Sequence, residues 1–149
     1  MKKISMLILT LIVCAFASWA QSADSVTKMI ESQKVTYGQI SYFTAIQSNL
    51  VTEVASNEEA FAALKNSGVI TKDCQASDFI PLEDFAYLCT RAWDIQGSLL
   101  YQFFPSPRYA LRLLKAKNFI PASYDPFKNL SGRDALNIIY KCAESQETQ

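Results

Sequence analysis

The chain has 149 residues, a formal net charge of zero and a hydrophobic fraction of 50%, and it contains no histidine. The lack of histidine excludes the commonest general base and metal ligand, together with every Ser–His or Cys–His nucleophile. The four glycines are scattered, so the sequence also lacks a phosphate-binding glycine loop. We therefore expect a protein that is not an enzyme and that uses no metal or cofactor.

Charge is unevenly distributed along the chain. Residues 21–105 hold five Lys or Arg against ten Asp or Glu, a balance of −5, whereas residues 106–149 hold seven against four, a balance of +3. The expected mature protein is therefore mildly acidic, whereas nucleic-acid-binding domains usually carry a net basic surface. This argues against nucleic acid as a partner.

The first twenty residues have the pattern of an export signal. Met1–Lys3 is basic, Ile4–Phe16 is apolar, and Ser18–Ala20 supplies the small residues that a signal peptidase reads. We expect residues 1–20 to be removed and the protein to reach the periplasm or the extracellular space, with or without envelope attachment. The apolar run is short for a transmembrane helix, and we expect none in the mature chain. The alternatives are an uncleaved anchor and lipidation of Cys14.

Residues 21–55 form the first predicted helical segment. Asp24–Gln33 has its apolar residues on one side, and Thr36–Gln39 is a capping box that begins a second helix. This second helix carries apolar residues at helical spacing: Ile40, Phe43, Ile46 and Leu50. We interpret the segment as a partial copy of the unit that follows it.

Residues 56–105 form the first complete helix–loop–helix unit, together with an aromatic connector. Ser56 and Glu59 form a capping box at the start of its first helix. Gly68 ends that helix, because glycine tolerates the left-handed conformation that closes a helix. The second helix is predicted to begin at Pro81, since proline is favoured in the first turn.

The second unit, residues 106–142, repeats this pattern fifty residues later. Ser106 takes the place of Ser56 as a helix cap, and Asn118 takes the place of Gly68 as a residue that tolerates positive φ. No segment of useful length alternates between apolar and polar residues. The predicted fold class is all-α, with tandem helix–loop–helix repeats in two complete units and a third partial one. The polar residues 143–149 are predicted to be a disordered tail.

This pattern resembles S-layer homology domains, which are tandem helix–loop–helix units that hold exported proteins to cell-wall polymers. Gly68–Ile70 and Asn118–Ile120 resemble the glycine-isoleucine-isoleucine turn that ends the family's first helix. Ile80–Ala86 and Leu130–Leu136 resemble the start of its second helix, and Val35–Gln39 resembles an early copy of it. The resemblance implies a role in attachment to the cell wall.

One residue of the family pattern is missing. The arginine that the family uses on its binding face aligns with Leu82 and Gly132, and Arg133 lies one position further along. The family's own mode of wall-polymer binding is therefore not implied for this chain.

Positive charge gathers on the first helix of the second unit. Arg108, Arg112 and Lys115 recur at helical spacing, with Lys117 beside them. They are candidates for binding an anionic wall polymer, a lipid headgroup, an acidic envelope protein or the acidic first unit of a second copy. The alternative is an ordinary solvated face. Because exposed charges contribute little to stability, we expect that Gln at the first three positions leaves the fold intact.

Aromatic residues crowd the connector, residues 98–104, which is predicted to contain a short helix. Trp93, Tyr101, Phe103 and Phe104 are candidates for an apolar seam where the two units pack. If several of them were exposed, they would instead mark an interaction surface.

Three cysteines remain after the signal peptide is removed: Cys74, Cys89 and Cys142. An oxidising compartment favours one bridge and one free thiol, and the sequence leaves the pairing open. The alternative places Cys89 and Cys142 in the core as small apolar residues. No two of them have metal-ligand spacing.

The sequence therefore predicts an exported, non-enzymatic binding or adaptor protein of the cell envelope, built from repeats like those of S-layer homology domains. The expected partners are an envelope protein or an anionic wall or lipid component, with self-association as an option. The alternative is a small periplasmic carrier or chaperone-like protein with an apolar ligand cavity near the connector.

Overall fold

A computed structural model describes residues 24–97 and 99–147, and within them all the regular elements are helices. Their bounds are α1 (24–31), α2 (Tyr37–Gln47), α3 (Asn57–Asn66), α4 (Leu82–Ala92), α5 (Leu99–Phe103), α6 (Pro107–Ala116) and α7 (Gly132–Glu147). This confirms the all-α class. In this part of the chain no helix is long and apolar enough to cross a membrane. The predicted signal peptide and Cys14 lie outside the described residues.

The helix starts follow most of the predicted caps. At α2, Thr36 Oγ1 accepts a hydrogen bond from the Gln39 backbone N–H (3.3 Å), and the Gln39 side chain accepts one from the Thr36 N–H (3.1 Å). Ser56 makes the same reciprocal cap at α3. Ser106 makes no side-chain cap bond at α6, where Pro107 fixes φ for the first helical residue instead.

The ends of α3 and α6 share one backbone geometry. Gly68 has a φ of +78° and Asn118 a φ of +59°, which confirms the two predicted left-handed residues. The next N–H donates to the carbonyl of Leu64 after α3 (3.0 Å) and to that of Leu114 after α6 (2.9 Å). Both exits therefore turn back onto the core, where the isoleucine that follows is buried.

Three loop ends meet at the centre of the fold. Val35, Ile80 and Leu130 each lie two residues before a helix (α2, α4 and α7) and are at most 2% exposed. The Val35 N–H donates to the Leu130 carbonyl and the Ile80 N–H donates to the Val35 carbonyl, both at 3.1 Å. Isolated antiparallel bridges join residues adjacent to these three. The starts of three helices are thus held around one buried point.

Helix α1 is pinned to the start of α7. The Gly132 N–H donates to the Ser32 carbonyl at 2.8 Å. A Cβ atom on Gly132 would lie 1.5 Å from the Met29 carbonyl oxygen, so only glycine permits this approach. The segment before α2 therefore shares a core with the last helix, and Met29 is buried there.

The prediction of a disordered tail is wrong for residues 143–147, because α7 continues to Glu147. The Ser145 hydroxyl donates to a backbone carbonyl three residues earlier at 2.7 Å. The Gln146 amide donates to the carbonyl of Trp93 at the end of α4. The Gln146 contact ties the last turn of α7 to the rest of the domain, which the polar composition of this segment did not indicate.

Candidate binding groove

The predicted basic cluster is divided in the structure. Arg108 and Arg112 are exposed on α6, and the Arg112 guanidinium lies 5.9 Å from an aromatic ring of the same helix. Lys115 is half-buried, and its Nζ donates to the carbonyls of Ala122 (3.1 Å) and Tyr124 (2.6 Å). Lys115 therefore holds the loop after α6 in place, and its role is structural.

The lysine near the end of α3 forms an exposed ion pair with the loop that follows its helix. Lys65 lies fifty residues before Lys115, and its Nζ is 3.7 Å from Asp73 in the loop after α3. Lys117 follows α6 directly, and its stem is half-buried beside Gly97. Arg108 and Arg112 are therefore the exposed members of the predicted cluster.

The aromatic connector has a buried side and an exposed side. Trp93 is buried, and the hydroxyls of Tyr101 and Thr90 are hydrogen-bonded at 2.8 Å. Phe103 and Phe104 are 73% and 66% exposed, so the predicted seam is wrong for these two residues. Because two residues rotate by about 200° around a helix, Phe103 faces away from the side on which Tyr101 packs.

A groove that sequence analysis missed opens beside the connector. Its volume is about 380 Å³, and it lies among the start of α2, the loop after α3, helix α4 and the start of α6. Its side chains are both polar and apolar, and they include Tyr37, Lys72, Asp84, Tyr87, Val69, Leu88, Pro105 and Pro107. This volume falls within the range of small-ligand sites in proteins.

A cluster of three polar side chains lies in the groove, and we call it the Asp84 cluster. Tyr37 donates a hydrogen bond from its hydroxyl to Asp84 Oδ2 at 2.8 Å. Lys72 Nζ forms a hydrogen-bonded ion pair with the same oxygen at 2.6 Å. The Asp84 side chain is only 12% exposed, whereas that of Lys72 is 59% exposed. A carboxylate thus lies at the base of the groove and a cation at its rim.

The surroundings raise the pKa values of two members of the cluster, Tyr37 and Lys72. Burial, followed by the hydrogen bond to Asp84, raises the pKa of Tyr37 well above its ordinary value. The hydrogen bond to Asp84 also raises the pKa of Lys72, although burial acts in the opposite direction. At neutral pH, Tyr37 is therefore a neutral phenol and Lys72 a cation.

The groove can recognise a ligand that both donates and accepts hydrogen bonds. Asp84 offers a carboxylate acceptor, Lys72 offers ammonium donors, and the phenols of Tyr37 and Tyr87 offer both. The apolar residues of the walls can pack against carbon-rich surfaces. Within residues 24–97 and 99–147, no group of three or more Cys, Asp or Glu side chains is placed to hold a metal ion.

The local sequence around each member of the Asp84 cluster predicts a role other than ligand binding. Tyr37 lies inside a capping box, Asp84 lies in the acidic first turn of α4, and Lys72 lies in a loop. The three residues meet only because the loop after α3 packs against the start of α2. The Tyr37 N–H donates to the carbonyl of Asp78 in that loop at 2.9 Å.

No protein-family model matches the chain, and no curated protein matches it at a significant level.

Proposed function

We propose that the protein is an exported, non-enzymatic binding protein of the cell envelope that holds a ligand in the groove. The Asp84 cluster is the observation that carries this proposal. A largely buried carboxylate is costly unless it is paired and hydrogen-bonded, as Asp84 is by Lys72 and Tyr37. A buried charge with specific partners inside a cleft is a typical feature of functional sites.

Backbone geometry supports a repeat organisation like that of S-layer homology domains. Helices α3 and α6 both end in a left-handed residue, and the loops after them end in the buried residues Ile80 and Leu130. Val35 has the corresponding place before α2. These correspondences favour two units and a third partial one. Because Leu82 stands where the family has its binding arginine, Lys72 would supply the positive charge in this groove.

We assign to the groove a hydroxyl-rich ligand, such as a segment of a wall glycan. Sugar hydroxyls donate to carboxylates and accept from ammonium groups, and the apolar faces of sugar rings pack on aromatic residues and prolines. The Asp84 carboxylate disfavours a phosphate placed directly beside it, which favours a neutral stretch of glycan at the base of the groove.

The test is co-sedimentation of the protein with insoluble wall fragments from the source cell. Lys72→Gln and Asp84→Asn should each weaken binding roughly tenfold or more, because each removes a charge-assisted hydrogen bond. Asp134→Asn is the matched control, since Asp134 lies fifty residues after Asp84 and pairs with Lys128 at 3.7 Å. Circular dichroism should show that all the variants are folded.

Two results would overturn the proposal. One is sedimentation of Lys72→Gln and Asp84→Asn as strong as that of the parent protein. The other is an equal loss of binding in Asp134→Asn, which would show that the effect does not come from the groove.

A second candidate function is that of a carrier for a small apolar molecule. The apolar residues of the groove, among them Val69, Leu88 and Pro105, favour it, and Pro105 belongs to the region around the connector. A carrier should remain in the soluble fraction and show a bound apolar molecule by native mass spectrometry. An envelope protein should instead sediment with the wall or membrane.

A further inference from the structure

The exposed side of the connector forms an apolar tip. Leu99, Phe103 and Phe104 are 72%, 73% and 66% exposed. Helix α5 packs against α6, so the tip is attached to the folded domain. Single exposed apolar residues are common on protein surfaces, whereas adjacent large ones mark a site of interaction.

The stretch of sequence that contains this tip has basic residues and no acidic ones. Between Asp94 and Asp125 the sequence has four Lys or Arg residues and no Asp or Glu. Two of the four, Arg108 and Arg112, are exposed and lie four residues apart, so they share one face of α6. Because α5 packs against α6, the apolar tip and the two exposed arginines lie on neighbouring helices.

We propose that the α5–α6 surface, which consists of Leu99, Phe103, Phe104, Arg108 and Arg112, binds the surface of an anionic lipid bilayer. The apolar side chains would enter the boundary between headgroups and acyl chains, while the guanidinium groups bind lipid phosphates. Basic residues near a bilayer are attracted by its negative surface potential.

A bilayer matches this surface better than a protein partner does. It presents anionic groups and an apolar interior over one continuous face, so it needs no pocket shaped for each phenylalanine. Neither a small apolar tip nor two arginines alone hold a protein firmly to lipid, and stable attachment takes two signals. The side chains involved differ from those of the Asp84 cluster.

The test is flotation of the full chain with vesicles of phosphatidylglycerol and phosphatidylethanolamine, and with vesicles of phosphatidylcholine alone. The protein should prefer the anionic vesicles, and added salt should weaken its binding. The double variants Phe103→Ser/Phe104→Ser and Arg108→Gln/Arg112→Gln should each reduce the partition coefficient roughly tenfold or more.

Matched double variants elsewhere on the surface are the controls. Phe79→Ser/Phe127→Ser removes two phenylalanines that are 60% and 77% exposed. Lys34→Gln/Arg133→Gln removes two exposed positive charges. Both should bind vesicles as the parent protein does, since neither changes the α5–α6 surface. If the controls lose binding to the same degree as the test variants, the proposal is wrong.

Hydrogen–deuterium exchange separates this surface from the apolar run Ile4–Phe16, which can also bind lipid. Anionic vesicles should slow exchange in peptides that cover residues 99–112. Protection confined to residues 1–20 would overturn the proposal. So would self-association that depends on Phe103 and Phe104 in a protein that does not float with vesicles, because the occupant would then be a second copy.

Discussion

Arg91 donates a hydrogen bond from Nη2 to the backbone carbonyl of Gly68 at 2.7 Å, which joins α4 to the end of α3. The carbonyls at the end of a helix lack partners within the helix and carry its negative dipole, so a cation is favoured there. Lys141 of α7 makes the corresponding contact with the carbonyl of Asn118 at 3.5 Å. Helices α4 and α7 thus each hold the carbonyl of the left-handed residue that follows α3 or α6.

The first prediction concerns these left-handed residues. Gly68→Ala should lower the free energy of unfolding by about 1 kcal/mol, because a Cβ atom disfavours positive φ. The nearest side-chain atom to that Cβ would be 3.9 Å away, so the effect is conformational and not steric. Asn118→Gly, the matched change, should be neutral or slightly stabilising. Urea unfolding midpoints measure both, and an unchanged midpoint for Gly68→Ala would contradict the geometry.

A second prediction separates Lys115 from the exposed arginines. Lys115→Gln should cost about 1–2 kcal/mol, because it removes hydrogen bonds to two loop carbonyls. Arg108→Gln and Arg112→Gln should leave the thermal midpoint nearly unchanged. This replaces the sequence-based expectation that all three charges can be removed without cost. Equal midpoints for the three variants would show that Lys115 is only a surface charge.

The third prediction concerns Cys74, Cys89 and Cys142, the three cysteines in the part of the chain that the structure describes, which are free thiols there. Cys89 and Cys142 are buried and share a hydrogen bond, and burial, followed by that bond, raises the pKa of Cys89. Iodoacetamide should therefore modify only Cys74 in the native protein, and all three after unfolding. Burial also raises the pKa of Cys74, so its labelling should be slow at neutral pH.

Mass spectrometry of the labelled peptides reads out the result, and rapid native labelling of Cys142 would contradict the core assignment. The hydrogen bond between Cys89 and Cys142 also bears on the disulfide pairing, which the sequence left open. If an oxidising compartment forms one bridge, we expect it between Cys89 and Cys142, with Cys74 as the remaining free thiol.

Most helix starts and the ends of α3 and α6 could be predicted from the sequence because their signals are local. Thr36 and Gln39 cap α2 across three residues, and Gly68 sets its own φ. The groove could not be predicted, because Lys72 and Asp84 meet Tyr37 only through packing between segments.

The connector shows a second limit of sequence reasoning. Its composition left open whether its aromatic residues form a buried seam or an exposed interaction surface, because a helix as short as Leu99–Phe103 packs on one side only. Tyr101 packs on that side, where its hydroxyl shares a hydrogen bond with that of Thr90, and Phe103 faces away from it. Too few turns were present for helical periodicity to distinguish the two sides.

A fourth prediction follows from the pKa of Tyr37. Because this pKa is raised above the ordinary 10.0, the stability that it contributes is complete below pH 10.0 and is lost as pH rises further. The pKa of Lys72 is also raised, so Lys72 adds to this loss of stability. Tyr37→Phe should be less stable than the parent protein at neutral pH by about 1 kcal/mol, since it lacks the hydrogen bond to Asp84. Above pH 10.0, however, the thermal midpoint of Tyr37→Phe should fall less than that of the parent protein.

Thermal midpoints measured across this pH range test the prediction. Tyr140→Phe is the control, because Tyr140 is 63% exposed and lies on α7, outside the groove. Its curve should run parallel to that of the parent protein. If the Tyr37→Phe curve is also parallel, the phenol does not hold its proton in the way the structure indicates.

The most direct test of the hypothesis that the groove binds a wall glycan is a titration of the isotope-labelled protein with soluble wall-glycan fragments, followed by amide NMR. The hypothesis predicts saturable shifts that centre on Tyr37, Thr71, Lys72 and Asp84. Asp84→Asn should raise the fragment concentration at half-saturation roughly tenfold or more, whereas Asp134→Asn should not change it. Shifts confined to the α5–α6 surface would contradict the hypothesis. The absence of any shift at fragment concentrations that saturate wall binding would contradict it as well.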